Sequence, residues 1–158
     1  MAGKRLKIIN NNLPKEIFEK HSTLILTLGH LEWFLQECLI FIILKTNFDK
    51  ANKVHIVLAD YICELSFDKK IRLINNFELL TKELSNELET IRKRRNVFIH
   101  GIVLLRANEK ATIEIKKKKE IIKEEFTQEN ISSFLYFVEI SGGKLIAEFE
   151  KKGFHLSK

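Results

Sequence analysis

Arg95, Asn96 and His100, followed by Gly101, are the residues of this chain whose types and spacing could do chemistry together. A guanidinium grips a phosphate through paired hydrogen bonds, an imidazole moves protons near neutral pH, and an amide orients either one. Their setting sharpens the point. Leu84, Leu88, Ile91, Arg95, Phe98, Ile102 and Leu105 step by four and three, the spacing of a core-facing helical stripe. Arg95 thus fills a slot where an aliphatic side chain is expected. A guanidinium keeps its charge, so that slot must offer it an anion, a wet cleft or an interface between chains.

Gly101 is expected to end the helix in the left-handed conformation, which puts His100 in the last turn. There an imidazole is placed for acid or base work at the helix end. Asn96 lies four residues before His100 and about 40° from it around the axis, whereas Arg95, five residues before, is about 140° away. One helix therefore converges Arg95 and His100 poorly. Two copies packed about a twofold axis would bring each histidine to the partner's arginine or histidine and form one composite site. The bland reading is an arginine whose head reaches solvent and a histidine near it by chance.

The remainder of the chain must position these groups. With 158 residues, one proline and six glycines, it has the size of one domain, 1–158, with residues 1–13 as an N-terminal arm. Hydrophobic residues at 45% and charged residues at 30% suit a mostly helical protein. A net charge of +6 permits a polyanion such as RNA as partner. Cys38 and Cys63 are expected to be buried structural thiols, and five histidines without paired ligand spacing lead to no expected metal or cofactor. The basic start, Met1 to Lys7, lacks the apolar core of a signal peptide, so a cytoplasmic location is expected. Leu24 to Leu44 has the length of a membrane span but carries Glu32 and Glu37, which favours a buried helix and no membrane.

Pro14 opens the longest predicted helix, running to about Lys45, with Leu24, Leu28, Leu31, Leu35, Cys38 and Ile42 as its stripe. Further helices are predicted over Lys53 to Cys63, over Asp68 to Thr81 behind a Ser66 cap, and from a Ser85 cap to His100. Ile102 to Arg106 and Ala111 to Lys117 read as a two-stranded hairpin, about 102–117. Lys116 to Lys119 reads as a solvated end, or as a contact for a phosphate backbone. Thr127 caps a last helix to about Lys152, which Ser141-Gly142-Gly143 could kink.

The long first helix, the segment Ser66-Phe67-Asp68-Lys69-Lys70-Ile71, and a helix ending in Arg95-Asn96-Val97-Phe98-Ile99-His100-Gly101 together resemble the HEPN superfamily (higher eukaryotes and prokaryotes nucleotide-binding). That resemblance implies a mainly α fold, an antiparallel helical bundle with the hairpin as an insertion before the last helix. It also implies a homodimeric, metal-independent endoribonuclease of toxin-antitoxin, abortive-infection or phage-defence systems. Within it, His100 would assist proton transfer as a ribose 2′-hydroxyl attacks phosphorus, Arg95 would stabilise the phosphoryl oxygens, and Asn96 would position either. Arg92 and Arg94 would help to hold the RNA backbone, although solvation is the simpler expectation for Arg94. An antitoxin or nucleotidyltransferase is the further partner implied. The competing reading is a noncatalytic helical module that binds RNA, a nucleotide or a protein.

Overall fold

A computed structural model describes residues 13–47, 49–106 and 109–155. Five helices carry most of them: α1 Lys15–Leu44, α2 Lys53–Cys63, α3 Phe67–Asn76, α4 Lys82–His100 and α5 Gln128–Glu150. Between α4 and α5 lie three strands, β1 Ile102–Leu104, β2 Thr112–Lys117 and β3 Glu120–Glu125. The fold is therefore mainly helical with a small antiparallel sheet of order β1-β2-β3.

The chain divides into two units, each drawn from two stretches of sequence. Unit 1 takes the described residues up to Leu26 together with Lys93–Tyr136; unit 2 takes Thr27–Arg92 and the chain from Phe137 onward. α1, α4 and α5 each contribute a segment to both units.

In unit 1 the sheet and three helical segments bury Ile17, Leu24, Phe98, Ile113, Phe126 and Phe134. Phe98 stacks on Phe134 with ring centroids 5.4 Å apart, a favourable offset of aromatic faces. The predicted two-stranded hairpin is a three-stranded sheet. Ile102 pairs with Glu114 and Leu104 with Thr112, while β2 continues through the turn at Lys118 and Lys119 into β3, where Lys117 faces Glu120 and Thr112 faces Glu125. β3 escapes the pattern because Glu-Ile-Ile-Lys-Glu-Glu does not alternate and is almost wholly exposed, so main-chain pairing defines it. Ala107 and Asn108 of the predicted connection lie outside the described residues, as does nearly all of the predicted N-terminal arm.

In unit 2 the stripe foreseen for α1 is buried at Leu28, Leu31, Leu35 and Cys38, with Phe34 beside it. Ser66 does cap α3, its hydroxyl accepting from the Lys69 amide, but that helix stops at Asn76 rather than Thr81. Phe77 closes it and Glu78 turns left-handed at φ 52°, leaving Phe77 exposed despite its in-phase position. Thr81 then takes the role assigned to Ser85: its hydroxyl accepts from the Leu84 amide at 3.3 Å and its carbonyl from Ser85 N–H at 3.0 Å. α5 runs unbroken through Ser141-Gly142-Gly143, with Ser141 buried and bonded to Glu87 at 2.8 Å. Cys38 is buried, and burial, with Glu37 nearby, raises its thiol pKa above the ordinary range; Cys63, expected to be buried, is exposed at the end of α2.

α1 is long and apolar enough to cross a membrane by length and composition alone. Core packing within each unit accounts for its apolar stripe, and Glu32 on it binds Lys70, itself only 3% exposed, at 3.2 Å.

Candidate functional site

The candidate site occupies the end of α4, in unit 1. The last turn closes when Gly101 donates its N–H to the Val97 carbonyl at 2.8 Å. His21 of α1 then donates from Nε2 to the Phe98 carbonyl at 2.9 Å, satisfying one of the orphan acceptors that every helix end leaves. The His21 ring packs edge-on to Phe126 at 5.2 Å, which fixes its direction. His21 carried no sequence signal for this role, since its partner is 77 residues away.

Gly101 is required for a different reason from the expected one. Its backbone is not left-handed; Gly153 alone among the described glycines has that conformation. Instead, a Cβ at Gly101 would collide with the Val97 carbonyl oxygen and stand 2.7 Å from Ile113 Cγ1 and 3.2 Å from the Glu114 carbonyl. Glycine lets β2 press directly on the helix end, so the chain passes from His100 into β1 within a single residue.

At this end the imidazole of His100 is exposed, while Arg95 and Asn96 are half-buried. Ile91 and Phe98, on either side of Arg95 in the stripe, are buried to within 1%. Arg95 is thus a partly exposed residue between sealed neighbours in the stripe, with its Nε shielded from solvent. Arg95, Asn96 and His100 share the last two turns of one helix, and helical geometry keeps Arg95 about 140° around the axis from His100.

The neighbouring arginines have structural work. Arg94, expected to be solvated, forms a two-pronged bond to Glu124 of β3, with Nε to Oε1 at 2.8 Å and the second nitrogen to Oε2 at 2.9 Å. It also donates to Asn130 Oδ1 at 3.0 Å, and its guanidinium lies 4.2 Å over the ring of Phe134. Asn130 in turn donates to Glu124 and to the Glu125 carbonyl, so α4, β3 and the start of α5 are locked by one planar cation. Arg92 belongs to unit 2, where it binds Glu89 and Asp68 at 2.8 Å each, and hydrogen bonds to those carboxylates strengthen its hold on its proton. Phe67 is buried, Asp68 meets Arg92 and Lys70 meets Glu32, so the Phe-Asp-Lys-Lys-Ile segment anchors α3 to its neighbours within unit 2.

Among the described residues, no group of three histidine, cysteine, aspartate or glutamate side chains is arranged to hold a metal ion. A hollow of about 450 Å³ lined by Phe41, Phe77, Phe149, Lys45 and Lys152 belongs to unit 2 and contains none of the motif residues. No protein-family model matches the chain, and neither a characterised protein nor a solved structure does.

Proposed function

We propose that this chain is a metal-independent endoribonuclease of the HEPN type, acting as a cytoplasmic homodimer in a toxin-antitoxin or phage-defence setting. The observation that carries the reading is an exposed imidazole on the final residue of a helix whose preceding turns hold a half-buried arginine and amide. His100 takes the proton of a ribose 2′-hydroxyl as that oxygen attacks the adjacent phosphorus. Arg95 binds the phosphoryl oxygens as their charge grows, and Asn96 orients the phosphate or the imidazole. The bond to the 5′-oxygen breaks, that oxygen gains a proton, and the products carry 2′,3′-cyclic phosphate and 5′-hydroxyl ends. The angular separation of Arg95 and His100 on one helix calls for a second copy to complete the pair.

The same separation favours a second reading, a noncatalytic module that binds RNA, a nucleotide or a protein partner. Incubation of purified protein with mixed RNA in EDTA separates the two. The nuclease reading expects cyclic-phosphate ends from the parent and a loss of at least about 100-fold in His100→Ala and Arg95→Ala. Equal cleavage by all three proteins removes the mechanism, and absence of cleavage by the parent favours the module.

A further inference from the structure

The end of β2 and the turn into β3 carry Lys116, Lys117, Lys118 and Lys119 in succession, all exposed. Cations outnumber carboxylates at this tip, where four lysines stand beside the single carboxylate Glu120, the register partner of Lys117. Toward its base each carboxylate has a cation: Glu114 meets Arg106 at 2.7 Å, Glu124 meets Arg94 at 2.8 Å and Glu125 meets Lys110 at 3.0 Å. Among the described residues no ion pair engages the four lysines of the tip. Lysines do protect the edges of sheets from pairing, but Lys118 and Lys119 sit in the turn, which has no ladder edge to protect. Lys118 moreover adopts φ 49°, a left-handed conformation for which asparagine or glycine is the easier choice. The sequence keeps a charge there against the backbone's preference.

Register ties this tip to the candidate site inside unit 1. Ile102 pairs with Glu114, and Gly101, just before it, packs on Ile113 and the Glu114 carbonyl. β2 leaves that level in the direction of the tip, and Lys117 is three residue steps beyond Glu114, about 10 Å at the rise of a strand. The end of α4 and the lysine turn thus lie within about three nucleotide steps of a stacked strand, taken at ~3.4 Å each.

We infer that the β2–β3 turn, through Lys116 to Lys119, is a backbone-binding element for single-stranded RNA that holds the strand beside the end of α4. This rests on the nuclease reading for its purpose, though not for its measurement. The lysines offer point charges to phosphates and no planar or aromatic group to read bases, so the element binds without regard to sequence. Ile121, 64% exposed and paired with Lys116 across the ribbon, has no polar atom with which to select a base.

The test uses the full chain with His100→Ala, so that RNA survives the assay, and follows the anisotropy of a labelled mixed-sequence RNA of about 20 nucleotides, longer than the roughly 4–16 that one domain covers. Replacing all four tip lysines by glutamine is expected to weaken binding at least about 10-fold, and to lower the steepness of its salt dependence by about 3 in log-log slope between about 50 and 200 mM. Replacing them by arginine is expected to preserve binding within about threefold, which guards against misfolding as the cause. The same number of charges removed at the exposed Lys50, Lys53, Lys82 and Lys152 is expected to cost less than about threefold. The inference is overturned if the tip variant binds RNA like its parent, if the control set loses as much, or if the tip lysines matter only for phosphatidylserine-containing vesicles. Because binding is read without turnover, failure of the parent to cleave RNA would strike the nuclease reading and leave this result standing.

Discussion

Gly101 shows how one residue can satisfy two different sequence rules while obeying only one of them. A glycine after the last helical residue is the usual mark of a left-handed cap, yet here it serves the close approach of β2. The two uses are indistinguishable in sequence, because the groups that crowd the position belong partly to a strand a dozen residues on. Gly101→Ala is expected to destabilise the fold by about 1–3 kcal/mol in urea unfolding, since the obstacle is a carbonyl oxygen that cannot rotate aside. Arg94 was illegible for a related reason: its partners Glu124, Asn130 and Phe134 are 30 or more residues distant. Arg94→Ala is expected to cost about 2 kcal/mol in the same measurement, leaving Glu124 half-buried without its fork, and Arg94→Lys to recover at most half of that. Arg95, by contrast, announced itself through its neighbours in the stripe, and the structure leaves it half-buried where Ile91 and Phe98 are sealed.

Among the elements, helices with strong periodicity and polar caps were legible nearly to the residue. α1 and α2 follow their predicted spans, and Thr127 caps α5 by accepting from the Asn130 amide at 3.2 Å. The exchange of Ser85 for Thr81 and the early end of α3 arose where apolar periodicity runs on through a turn without glycine or proline to mark it. β3 was missed because an exposed edge strand has no face to alternate. Within unit 2 the contact between α4 and α5 has a pH signature. Burial raises the pKa of Glu87, but hydrogen bonds from Lys144 and Ser141 outweigh it and hold the carboxyl below its ordinary range. A depressed folded value means that the contribution is complete above the unfolded value of about 4.3 and disappears as pH falls through the folded one. Stability measured in urea should therefore drop below about pH 4, and Glu87→Gln should flatten that part of the profile while lowering stability at neutral pH.

For the whole molecule, the candidate site's residues were nameable from sequence, whereas their surroundings were not: the His21 cap, the Arg94 lock and the sheet that abuts Gly101 all depend on long-range packing. The proposed activity makes one demand on the molecule as an assembly. Arg95 of one copy has to work with His100 of another, because a single α4 holds them about 140° apart. Mixing Arg95→Ala with His100→Ala after subunit exchange tests this directly, since half of the dimers then retain one complete Arg95–His100 pair. The account predicts that EDTA-resistant RNA cleavage, undetectable in either variant alone, returns to roughly a quarter of the parent rate in the mixture. A mixture as inactive as its two components, alongside an active parent, would contradict the shared site.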